Sequence, residues 1–560
     1  MILGIDLGTT NCALAFADPT TEQEHQIVMP FAIPQRIREN ETAEEPLLPS
    51  VLFLDPEEGP ITGVLAQRKG LENAGRLVTS AKSWLSHAGV DRRAAILPVN
   101  APDGVEKVSP VEASRRYLEH LRDAWNEKHP EATFDQQQVL VTVPASFDEV
   151  ARNLTLEAAR AAGYPEVVLL EEPQAAFYNW IERHANWREL VGPGDLILVV
   201  DIGGGTTDFS LIQVSERDGA LELERSAVGD HILLGGDNID AALAYHTAES
   251  LPKLDAIRFH ALWQQCRAAK EALLADGNTD AEHPITVLGR GSSVIGGTLK
   301  TKLPRKDMDR ILINGFFPEV ALDAEPETGT GALAEIGLPF AADAAVTRHL
   351  AHFLSRQEAR PTHILFNGGV VRAPLMRDRI VSVVNSWLET PVTPLAADDL
   401  MQAVARGAAY YGLVRQGRGV RVRGGVPRSY YIGVESSMPA VPGMPRPMRP
   451  LAVVPFGMEE GTGHAIDREF ALTVGQRAAF RFFQSSERKH DAPGTLLENI
   501  TDDMEEMPPV EAMLTGETKE TVRVTLEVRV SETGVLELWF VARDGRKWKL
   551  EFSVRPKNGA

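Results

Sequence analysis

Two segments nearly two hundred residues apart are built on one pattern. Ile2-Leu3-Gly4-Ile5-Asp6-Leu7-Gly8-Thr9-Thr10-Asn11-Cys12-Ala13-Leu14-Ala15-Phe16 places two apolar runs around a Gly-Thr-Thr turn. Leu198-Val199-Val200-Asp201-Ile202-Gly203-Gly204-Gly205-Thr206-Thr207-Asp208-Phe209-Ser210-Leu211-Ile212 repeats it. In both, an aspartate closes an incoming strand, glycines and two threonines form the tip, and a second apolar strand leaves, which is the signature of a hairpin. One supersecondary unit used twice at long range predicts two lobes of similar design.

The intervening stretches alternate strand and helix patterns. Residues 139–143 read as a buried strand ending at Pro144, 149–162 as a helix stopped at Gly163, 167–170 as a strand and 174–184 as a helix. After the second hairpin come Gly235-Gly236-Asp237 before a helix, a long helix over 259–274, a strand over 363–367 running into Gly368-Gly369, and an Ala-rich helix over 401–413. Such alternation predicts an α/β fold.

Near residue 415 the character changes. No acidic residue occurs from 400 to 434, whereas Arg406, Arg415, Arg418, Arg421, Arg423 and Arg428 do, with Gly417, Gly419, Gly424 and Gly425 among them. A basic, glycine-rich linker is expected over 416–428. Beyond it Val522, Val524, Leu526, Val528 and Val530 alternate with polar residues, predicting an antiparallel meander with one buried face. Its further strands are expected from Gly534 to Val541 and from Trp548 through Leu550, Phe552 and Val554. The acidic stretch 498–511, with Pro508-Pro509, reads as a solvated loop.

Composition narrows the class. The chain has 560 residues, enough for three or four structural units, and its 43% hydrophobic and 24% charged content is that of ordinary globular chains. Two cysteines, Cys12 and Cys266, cannot staple such a length, and no secretory leader pattern precedes Asp6, so a reducing cytoplasm is expected. No apolar run approaches a membrane span. A net charge of −21 opposes non-specific nucleic-acid binding.

A glycine turn at a hairpin tip lets backbone N–H groups converge on an oxyanion, and threonine hydroxyls add donors. Asp6 and Asp201 stand just before these turns, where a carboxylate could hold a hydrated Mg²⁺, an ion that takes few protein ligands. One such turn alone is ordinary structure. Two facing turns, each with its aspartate, would clamp a polyphosphate.

The two hairpin motifs resemble the phosphate motifs of the seventy-kilodalton heat-shock chaperone family (DnaK type), within the actin-like ATPase superfamily. Val141-Thr142-Val143-Pro144-Ala145-Ser146-Phe147 with Arg152, and Glu171-Glu172-Pro173-Gln174-Ala175-Ala176, resemble its connecting segments. Gly235-Gly236-Asp237 and Gly368-Gly369-Val370-Val371-Arg372-Ala373-Pro374 resemble its later nucleotide contacts. The likeness covers about residues 1–415. From 429 onward it extends only to the peptide-binding β-sandwich.

The resemblance implies a two-lobed, actin-like (ribonuclease H-like, duplicated) ATPase domain over 1–415 and a small all-β sandwich over 429–560. It implies ATP or ADP with Mg²⁺, and K⁺ as an optional further cation. Asp6 and Asp201 would position the hydrated Mg²⁺, with Asp201 also counted among the catalytic groups. Gly8, Thr9, Thr10, Asn11, Gly203, Gly204, Gly205, Thr206 and Thr207 would hold phosphate, with Thr206 as a γ-phosphate donor. Lys82 would orient the attacking water and neutralise charge on the phosphoryl group in flight. Glu172 and Asp208 would complete the water and metal arrangement. Gly235, Gly236, Lys270, Gly368, Gly369 and Arg372 would contact nucleotide, and Pro144 and Arg152 would relay its state to the β domain. Taken singly, Lys82 reads sooner as a surface helix lysine, and Glu172 equally as a helix N-terminal charge.

Departures from the family pattern accompany the likeness. Arg267 stands where the family usually has glutamate, Leu274 where it has serine, and Met401 near a usual acidic position. The aliphatic linker is replaced by Val420-Arg421-Val422-Arg423-Gly424-Gly425, so the loss of apolar docking surface puts interdomain coupling of about 1–3 kcal/mol in question. No helical lid is expected after Pro556.

The resulting expectation is a slow ATP-hydrolysing chaperone whose β domain binds unfolded or extended polypeptide under nucleotide control. Its further partners would be a J-domain co-chaperone and a nucleotide exchange factor, without nucleic acid or membrane. The alternative is a nucleotide-gated module with little hydrolysis and one dedicated protein partner. A sugar kinase on the same superfamily fold would explain the phosphate loops but not the meander.

Overall fold

The protein is described from a computed structural model covering residues 1–550 other than 22–26, 88, 100, 218–219, 276, 288–297, 330–337, 397–398, 419–421, 424–425, 427, 436–447, 459–460, 508, 517–519 and 531–535. Parts of the expected linker (419–421, 424–425, 427), Gly534, Pro508 and the chain end with Phe552, Val554 and Pro556 therefore lie outside the described residues.

Both hairpins form, and each becomes the centre of a six-stranded mixed sheet. In the first, Ile2–Leu7 pairs antiparallel with Asn11–Ala17 and parallel with Gln138–Val143, which pairs in turn with Val167–Glu171. In the second, Leu196–Ile202 pairs antiparallel with Thr207–Arg217 and parallel with His363–Asn367. The register repeats as well: Asp6 lies opposite Thr142, and Asp201 opposite Asn367.

The strands are apolar on both faces because both faces are covered. Leu3, Ile5 and Leu7 enter one core with the helix Pro110–Lys128, and Leu198, Val200 and Ile202 enter another with Ala256–Leu274. The alternate positions Ile2, Ala13 and Ala15 of one sheet, and Ile197 and Val199 of the other, share a third core with residues of the helices Glu172–Arg183 and Ala403–Arg415. Those two helices are held close by glycine. A Cβ on Gly407 would lie 1.7 Å from the Ala175 carbonyl oxygen, and one on Gly4 2.2 Å from that of Ala405.

Val422–Arg423 pairs in parallel with Leu223–Glu224 at the outer edge of the second sheet. Val422 and Arg423 thus pair through their main chain, and Arg418 Nη1 of the same segment donates to the Pro19 carbonyl at 3.1 Å.

The C-terminal strands share a separate core. Met448–Val454, Ser429–Glu435, Phe482–Ser485 and Glu505–Glu506 form one sheet, and Gly463–Val474, Glu520–Val530, Leu536–Ala542 and Lys547–Leu550 form another. Tyr430, Val453 and Phe482 of the first pack with Val524, Leu526 and Leu538 of the second. The acidic stretch 498–511 is not simply a loop. Glu505–Glu506 pairs with Phe483 and Gln484, and Val510–Leu514 pairs with Gln476–Phe480. Met504, Met507 and Val510 are buried, and these apolar anchors outweigh the surrounding carboxylates.

These strands touch the rest of the chain at specific points. Leu536 N–H donates to Glu149 Oε2 at 3.2 Å, and Lys489 Nζ donates to the Ser226 carbonyl at 3.0 Å and to Gln357 Oε1 at 3.3 Å. No helix among the described residues is long and apolar enough to cross a membrane.

Candidate functional site

The two hairpin tips meet. A Cβ on Gly204 would lie 1.7 Å from Thr10 Oγ1, and one on Gly205 2.8 Å from Thr9 Cγ2. Only glycine allows so close an approach. A cavity of about 410 Å³ opens beside this contact. Of the expected site residues it is lined by Asp6, Gly8, Thr9, Thr10, Asn11, Lys82, Glu172, Asp201, Gly203, Gly204, Thr206, Gly236, Lys270, Gly368, Gly369 and Arg372.

Gly205, Thr207, Asp208, Gly235, Pro144 and Arg152 do not line the cavity. Gly235 and Gly236 begin the helix Gly236–Ala248, whose first N–H groups tie down the second tip. Gly236 N–H donates to the Gly203 carbonyl at 3.0 Å and Asp237 N–H to that of Gly204 at 2.7 Å. Thr207 Oγ1 donates to the Leu234 carbonyl at 2.8 Å. Gly368 has φ +91°, and a Cβ there would press on the Ile202 carbonyl at 2.3 Å, so the turn after the strand His363–Asn367 requires glycine.

Each aspartate has a polar neighbour supplied by the parallel strand. Thr142 Oγ1 donates to Asp6 Oδ1 at 3.4 Å, and Asn367 Nδ2 to Asp201 Oδ2 at 2.8 Å. Lys82 sits on the short helix Ala81–Leu85, entered through Ser80 at φ +54°, an uncommon conformation for a residue with a side chain. Its ammonium donates to Glu172 Oε1.

Charge in this corner is unbalanced. Burial raises the pKa of Asp6 and, with the neighbouring Glu172, raises that of Asp201 well above the carboxylate range. Burial pushes Glu172 up to about 7, against the pull of Lys82 and helped by Asp6. Burial opposes the charge on Lys82, yet Glu172 and Asp6 more than offset it and its pKa is raised. One ammonium therefore faces more carboxylates than it can neutralise. Among the described residues no three His, Cys, Asp or Glu side chains are grouped to hold a metal ion directly.

Asp208, opposite Asp201 across the hairpin, accepts from Ser146 Oγ, which also lies 2.6 Å from His231 Nδ1. Ser146 follows Pro144 at the end of the strand Gln138–Val143, so this cluster joins the two sheets. Arg152 Nη2 donates to Glu171 Oε1 at 2.7 Å, beside Glu172.

The other end of the cavity explains Arg267. Its Nε donates to Asp240 Oδ2 at 2.8 Å and its Nη2 to Asp237 Oδ1, while Lys270 Nζ lies 2.6 Å from Asp240 Oδ1. Asp240 is fully buried and was missed in the sequence. Its signal is helical spacing: it lies one turn beyond Gly236, facing the Arg267–Lys270 pair. Asn367 was legible only as part of its motif. Met401 and Leu274 line the cavity with Ile239, Leu312, Val370 and Met376.

The arrangement defines a class: a protein with one charge-rich cavity shared by two sheets, each entered by the same hairpin. The family model described as Hsp70 protein matches residues 2–314, more than half of the chain, and the chain belongs to that family. Among curated relatives it is similar to the "Chaperone protein HscA homolog" of Cupriavidus necator, with 31% identity over 295 residues, 50% of this chain and 42% of the relative. The homologue from Pseudomonas fluorescens is 30% identical over 284 residues, 49% of this chain and 42% of that protein. The one from Bordetella pertussis is 30% identical over 314 residues, 53% and 45% respectively. The match thus spans less than half the length of these relatives.

Proposed function

We propose that the chain is an ATP-dependent chaperone in which residues 1–415 form a two-lobed, actin-like ATPase and 429–560 a β-sandwich that holds polypeptide, joined by the basic segment 416–428. The observation that carries the reading is the apposition of the two hairpin tips beside buried Lys82 and the surplus of carboxylates. The site fits a polyphosphate with a cation. The hydroxyl of Thr10, which lines the cavity, is buried without a hydrogen-bond partner among the described residues. Bound phosphate oxygens would satisfy such orphan donors.

In this reading Asp6 and Asp201 hold a hydrated Mg²⁺, which supplies charge neutralisation at the phosphates. Thr9, Thr10 and the tip amides of 204–206 orient the triphosphate. Lys82 places a positive charge at the reacting phosphoryl group. Glu172, with its pKa near 7, holds the water or accepts its proton. The Ser146–Asp208 bond and the Arg152–Glu171 pair connect this chemistry to Glu149 and Leu536, where the C-terminal strands touch the ATPase. The name of the curated relatives, chaperone protein HscA homolog, supports polypeptide as the bound partner.

A steady-state ATPase assay on purified protein, with and without an unfolded peptide, tests the reading. Slow turnover stimulated by peptide is expected. Turnover no higher than the blank removes the ATPase assignment, and turnover indifferent to peptide removes the coupling.

A further inference from the structure

A second cavity, of about 310 Å³, opens where the C-terminal strands meet the part of the chain built on the second sheet, and its volume is within the range of small-molecule sites. One wall comes from the strand Thr207–Arg217, the end of Ala220–Val228 with the turn after it, and the helix Val346–Ser355. The facing wall is the stretch 486–489 that follows the strand Phe482–Ser485. Neither wall closes the cavity alone, so the site exists only while the two are docked. We propose that it binds a small carboxylic acid with a flat, apolar body.

The apolar lining suits such a body. The rings of Phe209 and Phe353 stack with centroids 5.9 Å apart and planes at 24°, and buried Val228 and Ile232 line the cavity with them. Aromatic side chains hold a further flat group by offset or edge-on packing. Most charged groups of the lining are already engaged. His349 Nε2 lies 3.0 Å from the Asp343 carbonyl oxygen, and His352 Nδ1 pairs with Glu325. Arg356 and Glu487, both exposed, neutralise each other at 2.7 Å. Asp230 is exposed, where water weakens its repulsion of an anion.

Lys489 is the exception. It is half-buried, donates to the Ser226 carbonyl at 3.0 Å and to Gln357 Oε1 at 3.3 Å, and stands 5.4 Å from the ring centroid of Phe456. All three partners are neutral, and Glu358 attracts the ammonium without forming an ion pair with it among the described residues. Burial lowers the pKa of Lys489, the direction expected of a cation short of counter-charge. An ammonium has three N–H groups, so one is left over. Beside it in the same stretch, the hydroxyl of Ser486 has no hydrogen-bond partner among the described residues. Two spare donors match the two oxygens of one carboxylate, and one ammonium balances its single charge. A phosphate dianion would bring an uncompensated charge. A ligand that needs both walls draws the chain toward the docked arrangement.

The test is calorimetric titration of the full chain with phenylacetate, with phenylacetamide, its neutral counterpart of the same shape, and with acetate, which lacks the ring. Phenylacetate should bind, and each of the others should bind about tenfold more weakly or worse. Lys489→Met keeps the apolar stem and should bring phenylacetate down to the affinity of the amide. Ser486→Ala removes no contact between the two walls and should weaken phenylacetate about threefold or more while leaving the melting temperature of the free protein unchanged, so the test stands even if Lys489→Met does not fold. Absence of phenylacetate binding, equal affinity for phenylacetamide or acetate, or unchanged affinity in the folded variants overturns the proposal. The reading of the nucleotide cavity is untouched by any of these results, because the two cavities share no lining residue.

Discussion

At the scale of single residues the site turns on one buried ammonium among carboxylates. Lys82→Ala should lower ATP turnover by roughly 10²-fold or more, the scale of losing one preorganised electrostatic group, while nucleotide binding measured by calorimetry persists. A variant that turns over like wild type removes Lys82 from the chemistry. Glu172 yields a pH prediction. Its pKa rises from 4.5 to about 7, so the folded protein keeps a proton that the unfolded chain has released. Stability from this group therefore falls as pH rises from about 4.5 to 7 and is level beyond. Glu172→Gln mimics the protonated form: without nucleotide it should match wild type near pH 5 and be more stable at pH 8, on the order of 1–3 kcal/mol, in thermal melts. Equal differences at both pH values would count against it. The sequence displayed Asp6, Asp201, Lys82 and Glu172 through motifs, but the partners Thr142 of Asp6 and Asn367 of Asp201 come from other strands, as Asp240 comes to Arg267 and Lys270 from another helix, and only pairing register and helix packing bring them in.

At the scale of elements the decisive contact is hairpin tip against hairpin tip. Gly204→Ala would drive a methyl into Thr10 and push the tips apart. Nucleotide affinity should drop more than tenfold, with a stability loss of about 1–3 kcal/mol. The second close packing lies behind the site, where Gly407 meets the Ala175 carbonyl. Gly407→Ala should cost about 3 kcal/mol or more, read as a lowered denaturant midpoint, because backbone rather than a flexible side chain must give way. Both hairpins and most of the strands and helices around them were legible, since strands apolar on both faces and helices broken by glycine leave strong periodic marks. The acidic stretch 498–511 was not, because its few buried anchors are diluted by carboxylates that face water.

At the scale of the whole molecule, among the described residues, the C-terminal strands touch the rest of the chain through polar contacts such as Leu536 to Glu149 and Lys489 to Ser226. Glu149→Ala leaves the Leu536 N–H without its acceptor, a loss of about 1–3 kcal/mol from the contact. A larger radius of gyration in small-angle scattering is the expected outcome, and Arg356→Ala, which removes only the exposed pair with Glu487, should change nothing measurable. An unchanged radius for Glu149→Ala would show that other contacts hold the unit. Family membership, the repeated hairpins and the types of residue at the phosphate end were determined by the sequence alone, because they are local patterns whose spacing survives without a fold. Which strand edge Val422–Arg423 pairs with, and which carboxylates compete for Lys82, were decided only by the tertiary structure. Burial, dielectric and register belong to groups brought together from distant parts of the chain, and no single stretch of sequence carries them.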